Sequence, residues 1–351
     1  IQMKIVQVVP RYPPRTGGVE THVKEVSERL VERSHEVTVL TADGGRDVAT
    51  RDTRNGVEVI RHTGLAPGGA YHVAPGILRT LRRYDADVVH GHNYHSLPLL
   101  FAALGAGGSR FVVTPHYHSG SASSFRDRLL SVYRPLGVWA LSQADEVIAV
   151  SGWEREQLCD DLGVEAIVIP NGVDIERFRF AEPREQDRPY LLTVGRLEEY
   201  KGVQHIIQAL TELPKYDFLI AGSGPYRDEL EQIAKKKDVS ERVEFLGYVD
   251  DEELPGLYAG AEVFVTMSSF EAYGMTVGEA LAAGTPSVVR EKAALANWTD
   301  RSDCVGVNST KPAAVRKAVT NAVKRDMELE SLLTWDDVVD ATVEIYSNIH
   351  T

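Results

Sequence analysis

S-S-F-E-A-Y-G-M-T-V-G-E-A-L-A-A-G-T-P, residues 268–286, holds two carboxylates, Glu271 and Glu279, with seven residues between them. The apolar run Val263-Phe264-Val265 before it reads as a buried strand of a parallel sheet. Residues 275–283 read as a helix that Gly284-Thr285-Pro286 stops. Glu271 is therefore expected in a strand-to-helix loop and Glu279 about one turn inside the helix. Such loops lie at the carboxyl ends of parallel strands, where open α/β sheets bind ligands. Gly274 lets the backbone approach a bound group, and the amides of Met275 and Thr276 open the helix as an anion site. Two acceptor-rich carboxylates around a phosphate-sized anion site suggest a ligand with hydroxyls on both sides of a phosphate, the form of a nucleotide sugar. Taken singly, a loop Glu is usually solvated and a helical Glu usually faces water. The combination and its context carry the functional reading.

The bulk properties narrow the field. A chain of 351 residues suggests two domains of ordinary size. With 43% hydrophobic and 25% charged residues it has the composition of a soluble globular protein. Its longest apolar runs are far too short to span a bilayer. Ile1-Gln2-Met3-Lys4 leads straight into an apolar strand, so no secretory signal is expected. The two cysteines, Cys159 and Cys304, make neither a disulfide framework nor a metal cluster, which fits a reducing cytoplasm. A net charge of −13 with no long basic run argues against nucleic acid as a partner.

Strand and helix signals alternate along the chain. Residues 4–9 are an apolar strand, Pro10 to Gly18 a proline-stiffened loop ending in the Gly17-Gly18 turn, and 19–33 an amphipathic helix whose buried face is Val19, Val23, Val26 and Leu30. Strands are expected at 36–40, 57–61, 87–90, 111–114, 146–150 and 166–169. The polar stretch 45–55 is expected to be a loop. Helices are expected at 77–83, 97–104, 125–142 and 153–162. Residues 175–189 break the pattern, with a charged, proline-flanked segment at 182–189 that resembles a linker. The alternation restarts with strands at 190–194, 217–220, 243–245, 263–265, 287–289 and 305–307. Helices follow at 203–210, 226–236, 251–258, 275–283, 312–324 and 335–349. The result is an α/β chain of two Rossmann-like, doubly wound halves facing across a cleft.

Two further groups bear on chemistry. Gly195-Arg196-Leu197-Glu198-Glu199-Tyr200-Lys201-Gly202 follows a strand and precedes a helix. Arg196 offers a fork that matches phosphate oxygens, and Lys201 a mobile point charge. His116 ends a strand of the first half, where it faces the cleft and can hydrogen-bond a sugar hydroxyl or assist transfer electrostatically. His90, His92, His95 and His118 invite a zinc site, but their spacing fits no common set and no Cys supports it, so no metal is expected. Residues 125–139 mix Arg126, Arg128 and Arg134 with Leu129, Leu130, Val132, Tyr133 and Leu136. They could form a membrane-surface face for a lipid-linked acceptor, although an ordinary core-facing helix with exposed arginines is the preferred reading.

Together with Asn171-Gly172-Val173-Asp174, Gly222 to Pro225 and Phe245-Leu246-Gly247, these residues resemble the retaining GT-B glycosyltransferases of family 4 nearly end to end. That group comprises bacterial and archaeal mannosyl-, glucosyl- and N-acetylglucosaminyltransferases. The resemblance implies that Arg196 and Lys201 hold the donor diphosphate and stabilise the leaving charge. It implies that Glu271 binds hydroxyls of the donor sugar, Glu279 those of the ribose, and His116 the sugar from the first domain. Gly17, Gly18, Gly195, Gly224, Gly274, Met275 and Thr276 complete the donor-binding set. Glu271, His116, Arg196 and Lys201 form the catalytic set. A UDP- or GDP-linked hexose is the expected donor, with no other cofactor and no bound metal. A glycan, a lipid-linked compound or a small hydroxyl compound is the expected acceptor. Transfer retains configuration by a front-face route without a protein nucleophile. The expected domains are 1–180 on the acceptor side, 188–334 for the nucleotide sugar, and a helix at 335–351 that crosses back to the first domain. A cytoplasmic location is expected, with contact at the inner face of a membrane as a further option. One departure stands out. After the strand at 287–289 the family usually has a Gly-Gly loop followed by Glu, whereas here the chain reads Arg290-Glu291-Lys292-Ala293-Ala294-Leu295. A nucleotide-sugar epimerase on the same fold and an inactive glycan-binding or regulatory subunit are the alternatives. Retention of Arg196, Lys201, Glu271 and Glu279 together favours the transferase.

Overall fold

The computed structural model describes residues 2–45, 47–65, 72–118, 124–328 and 332–348, with the side chains of 124–131 outside that description. The chain forms two compact units, Ile1–Gly172 with Trp335–Thr351, and Val173–Thr334.

The first unit is built on an eight-stranded sheet. Its strands are β1 (Lys4–Val9), β2 (Glu36–Gly44), β3 (Arg51–Arg54), β4 (Val57–Thr63), β5 (Val88–His92), β6 (Arg110–Thr114), β7 (Glu146–Ala149) and β8 (Ile167–Val168). They lie in the order β3-β4-β2-β1-β5-β6-β7-β8. Strands β5 and β6 are buried along their whole length, as strands covered by helices on both faces must be. All neighbours are parallel except β3 and β4. The expected loop at 45–55 thus contains an antiparallel edge strand. Asn55 and Gly56 turn it back on β4 with φ of +46° and +81°. An Asn-Gly pair adopts this two-residue hairpin turn readily because its twist matches that of the strands. The helix Trp335–Asn348 packs on the helix Gly18–Glu32. Arg33 bridges them through Asp336 at 2.9 Å and Asp340 at 2.7 Å.

The second unit is an all-parallel sheet of six strands: β9 (Tyr190–Val194), β10 (Asp217–Ala221), β11 (Val243–Gly247), β12 (Val263–Thr266), β13 (Ser287–Arg290) and β14 (Cys304–Val307). Their order is β11-β10-β9-β12-β13-β14. Successive residues of one strand enter opposite cores. Leu191, Phe218 and Val265 join one cluster, and Leu192, Leu219 and Phe264 join the other. The order reverses between β9 and β12, and a reversal of this kind opens a crevice at the carboxyl ends of the two strands. A short helix, Ile175–Arg179, packs on the helices Leu254–Gly260 and Met275–Ala282. Residues 173–180 therefore pack with the second unit, where the sequence reading has a break in the pattern.

Candidate active site

The loops that follow β9 and β12 meet at this reversal. The backbone amide of Ser269 donates to the Tyr200 carbonyl at 2.8 Å, and its hydroxyl donates to the same oxygen at 3.1 Å. Gly202 makes the approach possible. Its φ is +73°, and a Cβ there would lie 2.2 Å from the Met267 carbonyl oxygen. The knitted loops bring Lys201 Nζ to 2.6 Å from Glu271 Oε1, with the two side chains 23% and 22% exposed. Burial works against the Lys201 ammonium, but the charge of the Glu271 carboxylate and its hydrogen bond outweigh it and raise the Lys201 pKa. Arg196, on the same loop, is far more exposed and pairs with Glu198 at 2.9 Å. Gly195 donates its amide to the Ala221 carbonyl at 2.9 Å, and Leu197 donates to that of Ser223 at 3.0 Å. These bonds tie the Arg196 loop to the turn that contains Gly224.

The helix Met275–Ala282 starts beside this pair, and no side chain caps its first amides. Gly274 precedes it at φ +94°, where a Cβ would stand 2.8 Å from Leu295 Cδ2. Glycine therefore suits both the backbone conformation and the packing at this position. Glu279 does not simply face water. Tyr258 donates its hydroxyl to Glu279 Oε2 at 2.7 Å, and burial raises the Glu279 pKa. Sequence reasoning missed Tyr258. Its signal was a phenol on the apolar side of a short helix, a group that needs a hydrogen-bond partner once buried.

The atypical segment after β13 packs directly behind Glu271. Ala294 donates its amide to the Glu271 carbonyl at 3.3 Å, and Trp298 Nε1 donates to that of Tyr273 at 2.8 Å. Residues Ala293–Asp300 form an unexpected 3₁₀ helix, entered through Ala293 at φ +53°. Lys292 Nζ lies 5.4 Å from the centre of the Phe270 ring, next to Glu271.

The remaining sequence-predicted residues belong to the first unit. Gly17 caps the helix that Gly18 opens, and no side chain caps its amides. His116 follows β6 with φ +47° and is only 8% exposed. Its ring is buried among other histidines. Its ring centre lies 4.9 Å from that of His22 and 5.8 Å from that of His92. His22 Nδ1 pairs with Asn171 Oδ1 at 2.7 Å, and His92 Nε2 with Gln7 Oε1 at 2.7 Å. Burial lowers the His22 pKa to about 4 and those of His92 and His116 well below the usual imidazole value. The four histidines weighed for zinc do not converge as one set. His95 stacks on His118 at 4.3 Å, and His90 bonds Tyr346 and Thr114.

The first part of the chain, residues 16–177, matches the family model "Glycosyltransferase Family 4", and residues 174–297 match "Glycosyl transferases group 1". The chain is 30% identical to a glycogen synthase of Mycobacterium tuberculosis over 98% of its own length and 94% of that protein's. It is 31% identical to a GDP-mannose-dependent alpha-(1-6)-phosphatidylinositol monomannoside mannosyltransferase of Mycolicibacterium smegmatis, over 79% of this chain and 78% of that one. Among solved structures, HepE of Anabaena in complex with UDP and glucose superposes with a TM-score of 0.78 at 18% identity, covering 99% of this chain and 100% of that one.

Proposed function

The chain belongs to the glycosyltransferases of family 4, and from that premise we propose that it moves a hexose from a UDP- or GDP-linked donor to a hydroxyl acceptor with retention of configuration. The observation that carries the reading is the Lys201–Glu271 pair at 2.6 Å beside the uncapped start of the helix Met275–Ala282. The donor diphosphate takes the ammonium of Lys201, the guanidinium of Arg196 and the amides of Met275 and Thr276. Competition for Lys201 frees the Glu271 carboxylate to accept from hydroxyls of the sugar. Glu279, steadied by Tyr258, accepts from the ribose. As the bond from the sugar's anomeric carbon to the β-phosphate oxygen breaks, Lys201 and Arg196 stabilise the growing negative charge. The acceptor oxygen forms its bond to that carbon on the same face, and its proton passes to the departing phosphate. The diphosphate charge is met by side chains, with no metal assigned to it. The roles given to Gly17, Gly18, Gly195, Gly224, Gly274 and His116 belong to the same proposal.

The named relatives support a sugar nucleotide as donor, and they include proteins named for glycan and lipid-linked acceptors. No helix among the described residues is long and apolar enough to cross a membrane. Contact with the inner face of a membrane is part of the proposal. In the helix Ser124–Ser142, Val132, Leu136 and Trp139 expose apolar surface at a helical spacing, and Arg134 lies among them. The side chains of Arg126, Arg128, Leu129 and Leu130 lie outside the described residues.

The test is a thermal-shift screen against UDP, GDP, ADP and their sugar conjugates, since a ligand that binds only the native state raises the melting temperature. A shift with one nucleotide family, followed by NMR of the product anomer, supports the reading. An inverted product refutes retention, and the lack of any shift well above the usual binding range refutes the donor site.

A further inference from the structure

We propose that His22, His92 and His116 form a binding site for a divalent transition-metal ion of zinc-like chemistry. Each ring offers one nitrogen, and the three atoms lie within 4.8 Å of one another. The rings come from three elements of the first unit: the helix Gly18–Glu32, the end of β5 and the residue pair after β6. All three residues are at least nine-tenths buried.

The hydrogen bonds around the rings select the ligand atoms. Asn171 Oδ1 can only accept, so His22 carries its proton on Nδ1 and presents Nε2 as a lone pair. Gln7 Oε1 likewise fixes the proton of His92 on Nε2, which leaves Nδ1 as a lone pair. His92 Nδ1 is buried and has no partner among the described residues, and the same is true of His116 Nε2. Bare imidazole nitrogens at such depth are costly unless something binds them. A carbonyl that takes the second N–H of a histidine is the usual outer shell of a metal ligand, because it fixes the tautomer and the ring.

The dimensions suit a small ion. Zinc bonds imidazole nitrogen at about 2.0–2.1 Å, which at tetrahedral angles sets the nitrogens roughly 3.4 Å apart. The ring centres lie 4.9, 5.6 and 5.8 Å apart, so small rotations close the set. Three imidazoles leave a fourth position for water or a ligand oxygen. Coordination through Nε2 also leaves the ring proton of His116 on Nδ1, making that atom a fixed donor. His22, His92 and His116 belong to the first unit, and the Lys201–Glu271 pair to the second.

The experiment uses the full chain, stripped with a chelator and titrated with Co2+ and then Zn2+. One equivalent of Co2+ is expected to give the visible absorption of a tetrahedral site, Zn2+ to displace it, and both to raise the melting temperature. His22→Gln and His92→Gln are expected to weaken Co2+ uptake at least tenfold with an unchanged far-UV spectrum. X-ray absorption of the zinc-loaded wild type counts the imidazole ligands and so decides the matter even if a variant fails to fold. Three imidazoles are expected. No stoichiometric uptake by the wild type, fewer than two imidazoles in the spectrum, or full uptake by both folded variants would overturn the site. None of these readouts depends on turnover, so they stand apart from any failure of the transferase reading.

Discussion

Lys201→Met removes the ammonium and keeps an aliphatic stem of similar length. In the native protein that ammonium lies 2.6 Å from Glu271, and each side chain keeps about a fifth of its surface exposed. Exposed ion pairs contribute about 0–1 kcal/mol, and breaking a fully buried pair costs about 3–5 kcal/mol. The partly exposed Glu271 can rehydrate, so the substitution should cost about 1–3 kcal/mol of stability. A domain of 5–15 kcal/mol stability then keeps at least about 2 kcal/mol, which leaves roughly 97% of it folded. Loss of a group that stabilises leaving-group charge typically costs about 10²- to 10³-fold in kcat. The two effects therefore separate. Urea unfolding should show a modest loss, while initial rates at saturating donor should fall by two orders of magnitude or more. In a cycle with Glu271→Gln, the double variant should recover about 0.5–2 kcal/mol relative to the sum of the single losses. Wild-type rates in both single variants, or a rate loss that matches the fraction unfolded, would refute the reasoning.

Other outcomes follow from the same structure. Ala293 occupies the left-handed region, which costs a residue with a Cβ about 1–2 kcal/mol. Ala293→Gly should therefore raise stability by about 0.5 kcal/mol after the greater entropy of the unfolded chain is deducted, and a lower urea midpoint would count against it. Glu154 is fully buried, and burial lifts its pKa from 4.5 to about 8 against the pull of the Val150 and Tyr117 amides. The unfolded chain ionises this group from about pH 4.5 and the folded chain only near 8. Its contribution therefore becomes less favourable as pH rises through that window, by roughly 4–5 kcal/mol. The stability gap between wild type and Glu154→Gln should shift by that order between pH 5 and 8 in urea titrations, and a flat gap would contradict the assignment. Cys159 is exposed, whereas Cys304 is buried with its thiol pKa raised to about 12. A thiol reagent should label one cysteine in native protein and two in urea, and two fast labels in native protein would show that β14 opens readily. Trp139→Asp should reduce binding to anionic vesicles in sedimentation, and unchanged binding would remove that helix as the membrane contact.

Much of the fold was legible because strand and helix periods are local. The strand β12, the loop that carries Glu271 and the helix of Glu279 follow from one continuous stretch, residues 263–286. The parallel sheets follow from apolar runs separated by helical patterns. Other features needed finer reading. The Asn55-Gly56 turn was a hairpin signal overlooked within a polar stretch. The helix Ile175–Arg179 was hidden by the charged segment that follows it, although Asp174 caps its start by accepting from the Arg177 amide. The partners of the site residues were not legible at all. Tyr258 meets Glu279 across 21 residues, and His22 meets Asn171 across 149. Such pairings are set by the order of strands in a sheet, which no local period encodes. His22 was absent from the zinc set for the same reason, because spacing along the chain says nothing of rings brought together by three separate elements.

The helix Trp335–Asn348 completes the first unit, and that timing matters while the chain is being made. It supplies Tyr346, whose hydroxyl binds Gln7 and His90 and whose carbonyl accepts from Arg110. His90 and Tyr346 are 256 residues apart. At about 5–20 residues per second, a ribosome adds the second tens of seconds after the first. During that interval the sheet of the first unit has emerged, yet these polar groups lack their partners, each at a cost of about 1–3 kcal/mol if buried. The second unit is one unbroken stretch, 173–334, and carries its own core. It can close on itself first, so the earlier-synthesised unit is the later one to reach its final form.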